Sequence, residues 1–299
     1  MVATVSLGVW WRSLRAYSFS ATIIPVVCAT LAAHRRGGEG EWSLSVLLLM
    51  AALLLHAAVN ILNDYYDYTL GFDTADSPVG SGLLVSGILP PQRALLWGRT
   101  YLALAVVAGA VPVWQCGWPI LVAGVCGWLG AAFYSHGKGY KYRALGEVSV
   151  FTLMGVLLYA SAYLVGGGKL EWPLLLLALP FAALVTAIML INNLRDVTVD
   201  QRAGFTTLPL VIGKYCARVL YLTLITLPLI LTPLYIWWGL LPLGTIIAPL
   251  IILLPVYLLA RCVGVSVTES SALLKRPEQT ALLYLLYGLA MIGGELWHR

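Results

Sequence analysis

Nine apolar runs divide this chain, and each is about as long as a bilayer's hydrocarbon is thick. They lie near 16–33, 43–62, 94–114, 118–135, 148–166, 172–192, 217–238, 240–261 and 279–297. Roughly 20 apolar residues in helical form cross the hydrocarbon. Backbone in lipid must satisfy its own N–H and C=O groups, which leaves only helices or a closed barrel. Barrel strands alternate lipid-facing and lumen-facing residues over about ten positions, and these runs do not alternate. The expected fold is therefore all-α, an integral membrane protein of nine transmembrane helices in one bundle. It forms a single domain over residues 1–299. Charge agrees: 10% of the residues are Asp, Glu, Lys or Arg, and mean hydropathy is +0.87. Soluble domains carry about 25% charged residues.

The basic residues sort by side. With the runs numbered in order, fourteen of the 18 Lys and Arg fall before the first run or in, or within a few residues of, the connections after the second, fourth, sixth and eighth. Arg35, Arg36, Lys169 and Arg299 fall on the other side. Positive charge marks the cytoplasmic side, so the expected N-terminus is cytoplasmic and the C-terminus outside, in a cell (inner) membrane. The first apolar run begins after Arg15, is long and has no clear small-residue cleavage site, so no cleaved leader is expected. The net charge of +5 reports topology rather than a nucleic-acid footprint, and no nucleic-acid partner is expected. Five scattered cysteines form no CxxC and no metal spacing, and are expected as small reduced core residues.

All six aspartates fall in two clusters, each following a membrane-length run. The first is "HAAVNILNDYYDYTLGFDTADS" (56–77) and the second lies in "LINNLRDVTVDQRAGFTTL". Residues four apart share a helix face. Asn-x-x-x-Asp occurs at Asn60/Asp64 and again at Asn192/Asp196, with Asp67 and Asp200 following. Both clusters are expected at the cytoplasmic ends of helices, the second and the sixth. Two rows of hard oxygen ligands suit Mg2+, which prefers octahedral oxygen and commonly bridges carboxylates to a substrate's phosphates. Without metal, so many carboxylates near a low-dielectric boundary repel one another. Arg195 and Arg202 flank the second cluster, and Lys138, Lys141 and Arg143 share the loop "YSHGKGYKYRALGE". Of these, Arg195, Arg202, Lys138 and Arg143 are the expected diphosphate contacts, since cations stabilise charge growing on a leaving group. An intramembrane histidine, His56, is either a functional group or one polar contact of the bundle. Gly71, Gly80, Gly82 and Gly87 are expected to allow tight turns after the second helix.

"NDYYDYTLGFD" with "NNLRDVTVDQRAGFTTLPLVIG" resembles the two aspartate-rich motifs of the UbiA superfamily of intramembrane prenyltransferases. "LRAYSFSATIIPVVCATLAA" resembles that family's first helix, and "YRALGEVSVFTLMGVLLYASAYLV" its fifth-helix region. Within it, N-D-Y-Y-D and R-x-L-G-E are most similar to 1,4-dihydroxy-2-naphthoate polyprenyltransferases. The chain departs from that branch at Leu83, where members often carry arginine after glycine. The resemblance implies a bundle around a central cavity that holds Mg2+ and an isoprenyl diphosphate. It implies metal and catalytic roles for Asp64, Asp67, Asp196 and Asp200, with Asp73 as the last aspartate of the first motif. Asn60 and Asn192 go with them as diphosphate residues. It also implies transfer of a polyprenyl group to an aromatic acceptor, 1,4-dihydroxy-2-naphthoate with decarboxylation, in menaquinone synthesis. Other acceptors, such as 4-hydroxybenzoate, are the nearest alternative. A transporter or cation channel is the alternative from another class, but its charged residues would be expected near the bilayer midplane.

Overall fold

The computed structural model describes residues 6–74, 80–137, 139–169, 171–264, 273 and 275–297. Of the residues singled out above, Asp76, Lys138 and Arg299 lie outside the described residues. Among those described, the chain is helical and has no β-strand. A short α1 (Leu7–Leu14) ends in a left-handed turn at Arg15, and a 3-10 turn leads into α2 (Ser20–Arg35). Then follow α3 (Trp42–Thr69), α4 (Pro91–Cys116) and α5 (Trp118–Phe133). One continuous rod is made of α6 (Gly146–Ser149), a π-helical stretch Val150–Leu157 and α7 (Leu158–Val165). After a short α8 (Trp172–Leu176) come α9 (Leu179–Ala203), α10 (Leu208–Trp237), α11 (Ile247–Gly264) and α12 (Arg276–Leu296).

Among the described residues, seven helical spans are long and apolar enough to cross a membrane. Two further helices stand where the remaining expected spans fall. One is α5, apolar but only 16 residues long, and the other is α12, which carries Arg276, Glu278 and Glu295 near its ends. The chain is a multi-pass membrane protein. Helix limits differ from the apolar runs in an informative way. The sixth run ends near 192, yet α9 continues to Ala203, and α3 continues to Thr69. Asp64, Asp67, Asp196 and Asp200 thus lie within the helices rather than after them, while Asp73 follows the end of α3. At the start of α10 the backbone breaks at Gly213 (φ 82°, ψ 153°), which separates its first turn from the apolar part.

The core lies between α2, α7, α9, α10 and α12, where alanines such as Ala29, Ala32, Ala182 and Ala187 are fully buried. Small residues let helices approach closely where lipid offers no hydrophobic drive for association. Gly155, in the π stretch, lies so near α9 that a Cβ there would sit 2.5 Å from Ala182 Cα. Buried pairs Tyr221–Thr280 (2.7 Å) and Thr232–Tyr287 (2.8 Å) tie α10 to α12. Of the five cysteines only Cys28 is buried; Cys126 and Cys216 are exposed on the bundle's flank, so the core expectation fails for them. All five are free, as expected.

The two ends of the bundle keep the two sets of basic residues apart. At one end Arg35 pairs with Glu295 (2.7 Å), and Arg35 and Arg36 both donate to the Leu240 carbonyl at 2.9 Å. At the other, Arg15, Lys141 and Arg195 meet the aspartates.

Candidate active site

The two aspartate clusters are closed by the same local device. Gly71 (φ 76°) and Gly204 (φ 77°) adopt the left-handed conformation just past α3 and α9. The Gly71 amide donates to the Tyr68 carbonyl (3.1 Å) and the Phe72 amide to Asp67 (2.8 Å). The Gly204 amide donates to Gln201 (3.2 Å) and the Phe205 amide to Asp200 (2.9 Å). Each is a Schellman closure, which needs a residue at positive φ and so favours glycine. The sequence signature is Asp-x-x-x-Gly-Phe, at 67–72 and again at 200–205, in addition to the repeated Asn-x-x-x-Asp. The two phenylalanines meet, with ring centroids 4.0 Å apart. Tyr142 stacks on Phe205 (4.8 Å, 5°) and touches Phe72 (5.5 Å). The Ala144 amide donates to the Thr206 carbonyl at 2.7 Å. Both helix ends and the 134–145 loop therefore close on one another at one end of the bundle.

Each of three motif carboxylates has a cation beside it. Asp64, 3% exposed, pairs with Arg15 and accepts from the Ser81 amide at 3.2 Å. Gly80 (φ 77°) lies directly over that pair, with no room for a side chain. Gly82 and Gly87 also take positive φ, as the turn expectation requires. Asp67, 4% exposed, receives Lys141 Nζ at 2.7 and 2.9 Å, Tyr142 OH at 2.7 Å and Asn63 Nδ2 at 2.8 Å. Lys141 also donates to Asn63 Oδ1, which accepts from Ser135 Oγ at 3.1 Å as well. Asp196 is held by its neighbour Arg195 through two bonds, of 2.7 and 2.6 Å. Asp200 differs: its Oδ2 is buried with no hydrogen-bond partner among the described residues. Burial pulls the Lys141 ammonium below its usual range, and the Asp67 carboxylate opposes that pull. Burial, and after it the same carboxylate, pushes the Tyr142 phenol up.

Other expected residues are placed as follows. Asn60 donates to the Leu14 carbonyl (2.9 Å) and Ser18 Oγ (3.2 Å), which anchors the N-terminal elbow to α3. Asn192 donates back to the Ile188 carbonyl at 2.8 Å. Asp73 is buried beneath the first closure, its amide donating to Asp67 O at 3.1 Å. Arg143 and Arg202 are exposed at the rim. His56 is satisfied inside the bundle by Ser18 (3.0 Å) and Thr22 (2.8 Å), which is the structural reading of that residue. Leu83 is fully buried against Leu14, Ile61 and Leu84, so a cation there would lose the packing that seats the elbow.

Sequence reasoning passed over two cations that the fold brings to the motifs. Arg15 lies 49 positions before Asp64 and reaches it only through its left-handed turn (φ 50°). Lys141 is aimed at Asp67 by the 3-10 turn Tyr140–Tyr142. The oxygen donors at 60, 64, 67, 192, 196 and 200 are of the hard type that fits Mg2+, and the unpartnered Asp200 oxygen fits a site built for a cation. Among the described residues no three carboxylate, imidazole or thiol groups form a ready metal cage. Arg15, Lys141 and Arg195 pair with Asp64, Asp67 and Asp196.

Comparison with known proteins gives a consistent answer. The profile of the UbiA prenyltransferase family matches residues 22–276. The chain is 33% identical over 290 residues to UbiA prenyltransferase domain-containing protein 1 of Ailuropoda melanoleuca, covering 94% of this chain and 82% of that one. The protein of the same description from Homo sapiens is 32% identical over 290 residues, covering 94% of this chain and 81% of its own. A UbiA homolog from Archaeoglobus fulgidus, solved bound to GPP and Mg2+, shares the fold with TM-score 0.64 at 19% identity, over 95% of this chain and 99% of that one. A structure from work on digeranylgeranylglyceryl phosphate synthase gives TM-score 0.61 at 19% identity, over 97% and 99%.

Proposed function

This chain belongs to the UbiA prenyltransferase family, an intramembrane enzyme that transfers isoprenyl groups, and from that premise we propose its substrates. The donor is a polyprenyl diphosphate and the acceptor is 1,4-dihydroxy-2-naphthoate, prenylated with loss of CO2 in menaquinone synthesis. The carrying observation is the meeting of two Asn-x-x-x-Asp helix ends through Phe72, Tyr142 and Phe205. The acceptor assignment rests on the N-D-Y-Y-D and R-x-L-G-E patterns.

In this reading Asp64, Asp67, Asp196 and Asp200, with Asp73 behind them, hold Mg2+. Asn60, Asn192, Arg195, Arg202, Arg143 and Lys138 contact the diphosphate, and Arg15 and Lys141 join them. Bound Mg2+ would neutralise the diphosphate and stabilise it as a leaving group. The protein's own part is an exchange of partners. As the diphosphate enters, Arg15, Lys141 and Arg195 turn from carboxylates to phosphate oxygens, which frees the carboxylates as ligands. Cations aimed at the leaving group favour ionisation of the allylic C–O bond, and a site closed to water protects the resulting cation. Each CH2 of the prenyl chain gains about 0.8 kcal/mol in an apolar setting, which favours a donor that enters from lipid. The chain acts as one domain over 1–299 in the cell membrane, with both motifs cytoplasmic and the C-terminus outside; the sorting of basic residues supports that orientation.

The test is product mass from purified protein given geranylgeranyl diphosphate, Mg2+ and either 1,4-dihydroxy-2-naphthoate or 4-hydroxybenzoate, with EDTA controls. A prenylated naphthalenediol lacking the carboxyl group, formed only with metal, is the expected result. A prenylated benzoate that keeps its carboxyl would move the acceptor, and turnover in EDTA would overturn the metal assignment.

A further inference from the structure

One carboxylate near the site belongs to neither motif. Glu147 follows Gly146 at the start of α6 and is 3% exposed. Its Oε1 accepts from Asn193 Nδ2 at 2.8 Å, while its Oε2 is buried with no hydrogen-bond partner among the described residues. A buried acceptor left without a hydrogen bond is destabilising, and such a group in a folded protein calls for an explanation.

Its surroundings connect it to the reaction end of the bundle. Asn193, which holds it, is the residue after Asn192 on α9. A Cβ on Gly146 would lie 2.7 Å from Met189 Cε and 3.9 Å from Tyr134 OH, so Gly146 lets the start of α6 pack closely on α9 beside Tyr134. Immediately after α6 the helix widens into the π-helical stretch Val150–Leu157, a form often found at functional sites. The other carboxylates here are engaged: Asp64 by Arg15, Asp67 by Lys141 and Tyr142, and Asp196 by Arg195. Asp200 keeps an open oxygen, but it belongs to the repeated motif that faces the diphosphate.

We propose that Glu147, held by Asn193, is the base that takes the hydroxyl proton of the aromatic acceptor. This rests on the aromatic-acceptor reading above and names the proton acceptor that the reaction requires. The acceptor's O–H bond breaks and its proton goes to Oε2. The electron-rich ring carbon bonds to the allylic carbon as the C–O bond to diphosphate breaks, and that pair leaves with the diphosphate. Loss of the carboxyl group as CO2 returns an electron pair to the ring and restores aromaticity. Glu147 then gives its proton back to the ring oxygen, so no outside oxidant or base is needed.

Glu147→Gln is the decisive variant, because glutamine keeps the size and can still accept from Asn193, yet cannot take the proton. Positioned bases contribute about 10^2–10^4-fold. The expected result is a fall in kcat of at least about 100-fold at pH 7, with thermal midpoint and KM for the prenyl diphosphate unchanged. Rate should then climb with pH as the acceptor's own hydroxyl ionises, narrowing the gap to wild type. Asn193→Leu, which frees the carboxylate without removing it, should fall between the two. An E147Q enzyme within threefold of wild type, or one equally impaired at every pH, would overturn the proposal in favour of a tie between α6 and α9. If wild type prenylates no aromatic acceptor at all, the acceptor reading fails first and this assignment falls with it.

Discussion

Lys141→Met tests whether the motif carboxylates are held by internal cations in the free protein. Lys141 and Asp67 side chains are 14% and 5% exposed, with contacts of 2.7 and 2.9 Å. Removing one partner of such a buried pair costs about 3–5 kcal/mol, because the other charge is left uncompensated. Two bonds to Asp67 survive the change, from Tyr142 (2.7 Å) and Asn63 (2.8 Å). The expected loss is therefore at the lower end, about 3 kcal/mol. For a chain of this size that is a fall of about 5 °C in thermal midpoint, read in detergent without divalent metal. Replacing both partners by uncharged groups is often nearly neutral, so Asp67→Asn with Lys141→Met should recover most of the loss. Independent sites add within about 0.3–0.5 kcal/mol; the coupling here should exceed that several-fold. A K141M midpoint within a degree of wild type, or a double variant as unstable as the singles combined, would refute the pairing.

Asp200→Asn should leave the thermal midpoint unchanged or raised while turnover falls at least about 100-fold, since its Oδ2 has no partner to lose in the free protein. Loss of stability would mean that the oxygen is satisfied after all. Phe205→Ala removes ring contacts to Tyr142 and Phe72, worth about 0.5–1.5 kcal/mol each; steady-state kinetics should show KM for the prenyl diphosphate up about five- to tenfold with kcat less affected. His56→Leu removes the hydrogen bonds to Ser18 and Thr22 and should cost about 1–3 kcal/mol of stability with kcat within threefold of wild type; a larger kcat loss would return His56 to the functional reading. Calorimetry should show weak binding of Mg2+ alone and of a non-hydrolysable prenyl diphosphate alone, and tight binding of the two together. Equal affinity of the diphosphate with and without metal would count against the exchange of partners.

The helical bundle was legible because apolar length is itself what lipid selects. Helix ends were not, because the α3 and α9 hydrogen-bond ladders continue through Asn60–Thr69 and Asn192–Ala203 regardless of polarity. The stops did carry a signal, Asp-x-x-x-Gly-Phe at 67–72 and 200–205, which a search for ligands alone passes over. Asp64, Asp67, Asp196 and Asp200 could be picked out because helical spacing repeats. Arg15 and Lys141 could not, because their reach depends on a left-handed residue and a 3-10 turn that no spacing rule encodes. Loop position treats Lys141 and Arg143 alike; the turn sends one inward to Asp67 and leaves the other exposed at the rim.

That pairing also explains how so many charges are tolerated at a low-dielectric boundary. Bare carboxylates at 64, 67 and 196 would be costly there, and so would bare cations; pairing Arg15, Lys141 and Arg195 with them removes both costs in the free protein. The same arrangement discriminates among ligands. An anion arriving alone meets carboxylates that already hold the cations it needs, and a divalent metal alone meets cations that already hold its ligands. On the proposed function, only a metal and a diphosphate together would replace both halves of each pair, with Asp64, Asp67 and Asp196 turning to the metal and Arg15, Lys141 and Arg195 to the phosphates. Selectivity would then come from the exchange as a whole, since each ligand alone would leave a charge without a partner, and at Asp64 and Asp67 a buried one.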